Sequence, residues 1–137
     1  MFKFSDEIKD TLAATKFVWM ATATKDGSPN VVIVAAFRLL DDETLLISDQ
    51  YFLKTLANLK DNPKVAISWW GEKGGFQIKG NATIHTSGPI FKSNVEWMKV
   101  KWSRFGPKGA VVVKIIDAYV LRAGPDSGKR CYDSGLV

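Results

Sequence analysis

The largely hydrophobic segment Phe17–Thr24 reads as a strand, its side chains taking alternate faces, with Phe17, Trp19, Ala21 and Ala23 on one and Val18, Met20, Thr22 and Thr24 on the other. That period of two is the signature of a strand. Lys25-Asp26-Gly27 supplies a hairpin turn, and Asn30–Arg38 follows as a strand apolar on both faces. Asp41-Asp42-Glu43 turns the chain into a third strand, Thr44–Ser48, and Lys64–Trp70 is a fourth. After a glycine-rich loop, Gly71–Gly75, the segment Phe76–Thr86 points Phe76, Ile78, Ala82 and Ile84 one way and Gln77, Lys79, Asn81, Thr83 and His85 the other. Gly80 breaks the inward row and predicts a bulge. Ala110–Leu121 is the sixth strand.

Helical spacing appears three times. Ser5 is placed as an N-cap before Asp6 and Glu7, with Ile8, Thr11 and Leu12 as a stripe, giving a helix over 5–15. Leu53, Leu56, Ala57 and Lys60 form a second stripe, stopped by Asp61-Asn62-Pro63. Phe91, Val95, Met98 and Trp102 form a third. Six strands joined mainly by hairpins predict a mainly β chain: an antiparallel barrel over 16–122 with short peripheral helices and a polar tail over 123–137, all in one domain.

Two stretches carry candidate chemistry. Leu45–Leu59 is a strand, a polar corner and a helix start that places Lys54 and Thr55 in the opening turn, off the apolar stripe. Unpaired N–H groups and partial positive charge there, with an ammonium and a hydroxyl, make a seat for a terminal phosphate. Val31–Phe37, apolar on both faces, needs a cover on its outer side, either a planar heterocycle or a second subunit. Ala35 and Ala36 are small enough to let a flat group approach the backbone.

Composition narrows the classes. The 137 residues are 46% hydrophobic and 24% charged, ordinary for a globular chain. The net charge of +5 suits an anionic partner, but the basic residues are dispersed, with mild clustering from Lys92 to Lys108, and no nucleic-acid module stands out. No apolar run is long enough to span a bilayer, and the N-terminus lacks an apolar signal core. A single Cys131 allows no internal disulfide, so the expectation is a cytoplasmic protein, with Cys131 a bystander in the tail. One Cys and one His cannot build a zinc site. There is no Gly-x-Ser-x-Gly elbow, no Gly-x-Gly-x-x-Gly fingerprint and no P-loop, and no catalytic residue is assigned. His85 is placed on an exposed face, and Trp102, beside Lys99, Lys101 and Arg104, is a candidate to stack on a ring.

The ordered set of Asp26-Gly27-Ser28-Pro29, the apolar strand 31–37, Leu46-Ile47-Ser48, Lys54-Thr55 with Asn58-Leu59, Asn62-Pro63-Lys64-Val65-Ala66-Ile67-Ser68 and Ile78-Lys79-Gly80-Asn81-Ala82 resembles the FMN-binding split-barrel family. That family includes pyridoxamine 5′-phosphate oxidase and small FMN-binding proteins of anaerobes. The resemblance implies a six-stranded split barrel and a homodimer with FMN at its interface. It implies that Lys54 and Thr55 hold the FMN phosphate with Ser48 alongside, that backbone at Ile33, Val34 and Ala35 borders the isoalloxazine, and that Asp49 and Gln50 line the corner. Two departures stand out. Val32 occupies the place of the oxidases' second phosphate-binding arginine, and their C-terminal Arg-x-His element is absent, so vitamin B6 oxidation is not expected. The expectation is an FMN-dependent oxidoreductase or electron-transfer protein, with a non-catalytic FMN carrier and a small barrel for single-stranded nucleic acid as alternatives. The tail, with Arg122, Lys129, Arg130 and Tyr132, is expected to reach over the partner's flavin.

Overall fold

The computed structural model describes residues 2–104 and 106–131. In chain order the elements are α1 (Asp6–Ala13), β1 (Val18–Ala23), β2 (Pro29–Val34), β3 (Phe37–Leu39), β4 (Thr44–Asp49), α2 (Lys54–Asp61), β5 (Lys64–Gly71), β6 (Gly74–His85), α3 (Gly88–Lys101) and β7 (Gly109–Leu121). They build one curled antiparallel sheet in the order β2-β1-β5-β6-β7-β4-β3. The mainly β split barrel with short helices is as expected, but it has seven strands rather than six.

The added strand comes from dividing the run 30–38. β2 pairs only with β1 at one edge of the sheet, and β3 only with β4 at the other. Val34 and Phe37 are three residues apart, a reach of at most about 10 Å for extended chain. Ala35 and Ala36 therefore tie opposite edges together, and the sheet curls almost shut around them. Ala36 is buried, and its carbonyl accepts the Ser48 N–H at 2.9 Å. Periodicity misses this crossing because both halves are apolar and no turn residue marks the break.

Inside the curl pack Val18, Met20, Leu45, Ile47, Ile67, Phe76, Ile78, Val111 and Val113. Helix α1 adds Ile8 and Leu12 to that core, and Ser5 Oγ accepts the Ile8 N–H at 3.3 Å as its cap. Trp69 is buried with its indole N–H donated to Thr11 Oγ1 at 3.0 Å, which satisfies its one polar group. The bulge expected at Gly80 is present: the β6–β7 register shifts between Lys79 and Gly80. A Cβ on Gly80 would lie 2.4 Å from the Lys114 carbonyl oxygen, so only glycine allows this approach.

Three expectations are corrected. The stripe Leu53, Leu56, Ala57, Lys60 is not the inner face of α2; Thr55, Asn58 and Leu59 are buried, while Leu53 is 82% exposed. Leu59 joins the apolar core, and the rest of the inner face is polar because it meets Thr22 and Asn30: Asn58 Nδ2 donates to Thr22 Oγ1 at 3.0 Å and Asn30 Nδ2 to Thr55 Oγ1 at 3.1 Å. Gly71–Gly75 is not a loop but a tight hairpin, with Gly71 paired to Gly74. The tail is not peripheral up to Cys131, and Cys131 is not a bystander in it. The tail folds back on β7, with Gly128 N–H on the Val120 carbonyl at 2.8 Å and Cys131 N–H on the Ala118 carbonyl at 2.9 Å. Arg122 meets Glu7 and Asp126, Lys129 meets Asp126, and Arg130 meets Asp117, so these cations are engaged within their own chain. Tyr132 lies outside the described residues.

Cys131 is therefore a core residue, and burial pushes its thiol from the usual 9.0 up to about 11. Below pH 9 the thiol is neutral in both folded and unfolded chain and its stabilisation is complete. Between pH 9 and about 11 the unfolded thiol ionises and the folded one does not, so that stabilisation is lost. We expect native protein to resist a disulfide reagent at pH 8 and to react once denatured. Cys131→Ser should lack this component of the alkaline fall in stability, read by denaturant titration at pH 8 and pH 10.

Candidate functional site

The corner after β4 is built from the inside. Asp49 is buried, and its Oδ1 accepts the Phe52 N–H at 2.9 Å while Lys108 Nζ stands 3.8 Å away. Burial raises its carboxyl above the ordinary range, and the Phe52 N–H and Lys108 pull it part of the way back. Asp49 thus braces the corner rather than lining it. With the turn pinned at Phe52, Gln50, Tyr51 and Phe52 face β2 across a shallow cavity of about 260 Å³. Val32, Ile33, Val34 and Ala35 form its other wall, and Ser48 completes the lining.

Ser48 is the most constrained polar group there. Its Oγ accepts from Gln50 Nε2 at 2.7 Å and from Asn94 Nδ2 at 2.9 Å. Both acceptor positions are then filled, and the hydroxyl proton is left to donate. Asn94 cannot be reversed, because the same Nδ2 also donates to the Gly109 carbonyl at 3.3 Å. Asn94 is fully buried on α3, and its Oδ1 has no partner among the described residues. Asn94 was not singled out from sequence. The available signal was its position between Phe91 and Met98, a polar residue at helical spacing on an apolar stripe.

Lys54 begins α2 two residues beyond Phe52 and is exposed. The N-cap is Leu53, which offers no side-chain acceptor, so the first-turn N–H groups of α2 stay open to an anion. Thr55 turns inward, its hydroxyl held by Asn30. Of the expected residues, the fold gathers Ile33, Val34, Ala35, Ser48 and Gln50 at one cavity, and Lys54 follows its lining residue Phe52 by two positions in the chain. Trp102 is not among them. It lies at the C-terminus of α3 and lines a second, larger cavity on the other side of Ala35.

The cavity is also unfinished. Its volume falls below the roughly 300–1,000 Å³ of ordinary ligand pockets. Val31 and Ile33, on the outer face of β2, are 60% and 63% exposed, and Trp19 stands beside Ile33 across the β1–β2 pair. Among the described residues none provides the outer cover expected for strand 31–37 at Val31 and Ile33.

The hydrogen bond between Asn94 and Ser48 has a direct test. Asn94→Ala should lower unfolding stability by about 1–3 kcal/mol in urea titrations. A double-mutant cycle with Ser48→Ala should return a coupling of about 0.5–1.5 kcal/mol. Additive losses would remove the bond from the site's construction.

Residues 4–122 match the family model described as pyridoxamine 5′-phosphate oxidase. An uncharacterised protein of Methanocaldococcus jannaschii is 41% identical over 130 residues, covering 93% of this chain and 87% of that protein. HupZ of Group A Streptococcus is 26% identical with a TM-score of 0.79, covering 91% of this chain and 99% of that chain. Two further structures, each 16% identical, share the fold. An FMN-binding protein from Syntrophomonas wolfei has a TM-score of 0.76 and covers 87% and 86% of the two chains. HutZ, the heme storage protein from Vibrio cholerae, has a TM-score of 0.67 and covers 88% and 96%. The matched span takes in α1, all seven strands of the curled sheet and the cavity beside the Ala35 crossing, and the chain belongs to the pyridoxamine 5′-phosphate oxidase family.

Proposed function

We propose that this protein is a cytoplasmic homodimer that binds FMN without a covalent link and exchanges electrons with a donor and an acceptor. The observation that carries the reading is the convergence of β2 and the corner after β4 on one cavity, with a helix lacking a side-chain cap beginning two residues beyond Phe52. The donor set suits a flavin mononucleotide. Lys54 and the first-turn N–H groups of α2 would take the phosphate, the Ser48 hydroxyl and Gln50 would meet acceptor atoms, and Val32–Ala35 would offer an apolar wall to the ring. Flavin supplies the redox chemistry when bound. The chain's part is to bind it, orient it and exclude water. Val32 brings no charge to the phosphate, which agrees with an FMN protein other than a pyridoxamine phosphate oxidase.

The second subunit supplies what one chain lacks. Trp19, Val31 and Ile33 form an apolar outer face beside the cavity, so a partner seated there would bury them and close the open wall. A haem reading has less support, since the one histidine, His85, lies outside the cavity lining and sits 3.0 Å from Thr83 Oγ1.

Purified protein titrated with FMN should bind about one FMN per chain, followed by flavin fluorescence. Lys54→Ala should weaken FMN about tenfold, equivalent to about 1.4 kcal/mol, while leaving riboflavin affinity unchanged. Protein that takes up no FMN overturns the reading. Ile33→Glu should convert the dimer to monomer in sedimentation velocity, keep its β circular dichroism and lose FMN. A dimer that survives Ile33→Glu would place the interface elsewhere.

A further inference from the structure

The second cavity, about 530 Å³, lies within the range of small-molecule sites and is twice the size of the first. Its apolar part comes from Leu12 and Ala13 of α1 with Phe17 and Phe37, and Trp102 stands at one side. Its polar part is Thr15 and four cations, Lys9, Lys16, Arg38 and Lys101, and no carboxylate lines it. Lys9 is spoken for by Asp42 at 2.5 Å. The other three have no salt bridge among the described residues.

Arg38 is the telling member. It is half-buried, donates Nη2 to Ser93 Oγ at 3.0 Å and lies 5.1 Å from the Trp97 ring centroid, yet its buried Nε has no hydrogen-bond partner among the described residues. The Lys101 ammonium is held 4.8 Å from the Trp102 centroid and 5.5 Å from that of Trp97. A guanidinium partly withdrawn from water without a carboxylate is unfavourable, and an anion from outside would relieve it. The aromatic and aliphatic surfaces below the charges match a flat apolar body.

We propose that this cavity binds a planar organic anion, an aromatic ring system bearing an acidic group, with Arg38, Lys16 and Lys101 on the charge and Phe17, Phe37 and Trp102 on the ring. The site goes beyond the flavin reading and is separated from the flavin cavity by the Ala35 crossing, which lines both.

The full chain should be titrated by calorimetry with 2-naphthoate and with its neutral counterpart 2-naphthamide, and with FMN in parallel. The expected result is one naphthoate per chain, at least tenfold tighter than the amide and weakened by added salt. Lys16→Gln and Lys101→Gln, both at exposed positions, should each weaken naphthoate about three- to tenfold and leave FMN uptake unchanged. Arg38→Gln should remove most of the preference for the anion. Equal affinity for the amide, or naphthoate binding indifferent to all three substitutions, overturns the proposal. So does binding that appears only when the protein is diluted to monomers, which would make the cavity a contact between copies of the chain. Loss of FMN uptake in Lys101→Gln would show that flavin occupies this cavity and would also defeat the two-site assignment. Failure of FMN binding in the unsubstituted protein leaves the naphthoate comparison intact, so the two readings fail separately.

Discussion

The short link between Val34 and Phe37 constrains everything else in this molecule. Strands that neighbour one another in sequence, β2 and β3, are strangers in the sheet and sit at its opposite edges. Two alanines bridge them, and that bridge fixes how far the sheet must curl. Both cavities are products of that closure, one on each side of Ala35. Small side chains at the bridge matter for the same reason, because a bulky residue at position 35 would project into one of the two.

Polar groups do the fine positioning. Asp49 pins the corner through the Phe52 N–H, and Asn94 reaches from α3 to fix the hydroxyl of Ser48. Neither is exposed, and each is tied to backbone as well as to side chain. Buried polar networks of this kind specify one arrangement of the surrounding elements, since any shift would leave a donor or acceptor unsatisfied. Here they lock β4, α3 and the start of β7 into a single frame, with Lys108 closing it from outside.

Much of this was legible in the chain. Alternation gave the strands, Gly80 marked its bulge, and Ser5 marked the start of α1, because each rests on a local rule. The gathering of Ile33, Val34, Ala35, Ser48 and Gln50 was legible through the order of motifs rather than through any single one. The misses share a different cause. The break at Ala35–Ala36 has no turn residue. The true inner face of α2 is polar at Thr55 and Asn58, and Cys131 looks like a tail residue until its strand partner is known. Each depends on what lies opposite in space, which local pattern does not encode. Trp102 was read as a stacking residue and is lodged in an aromatic, cationic cavity, but on the other side of the crossing.

The strand order also bears on how the chain reaches this state. β1–β2, β3–β4 and β5–β6 are local hairpins, whereas Trp19 must find Ser68 and Thr44 must find Lys114. Closing such long loops is the slow part of folding a β-rich chain. The seam at Ala35 depends on these distant pairings and on β6–β7, so the cavities belong to the fully assembled sheet. Any ligand they hold binds the finished chain alone, and by mass action it draws the population out of its half-assembled forms.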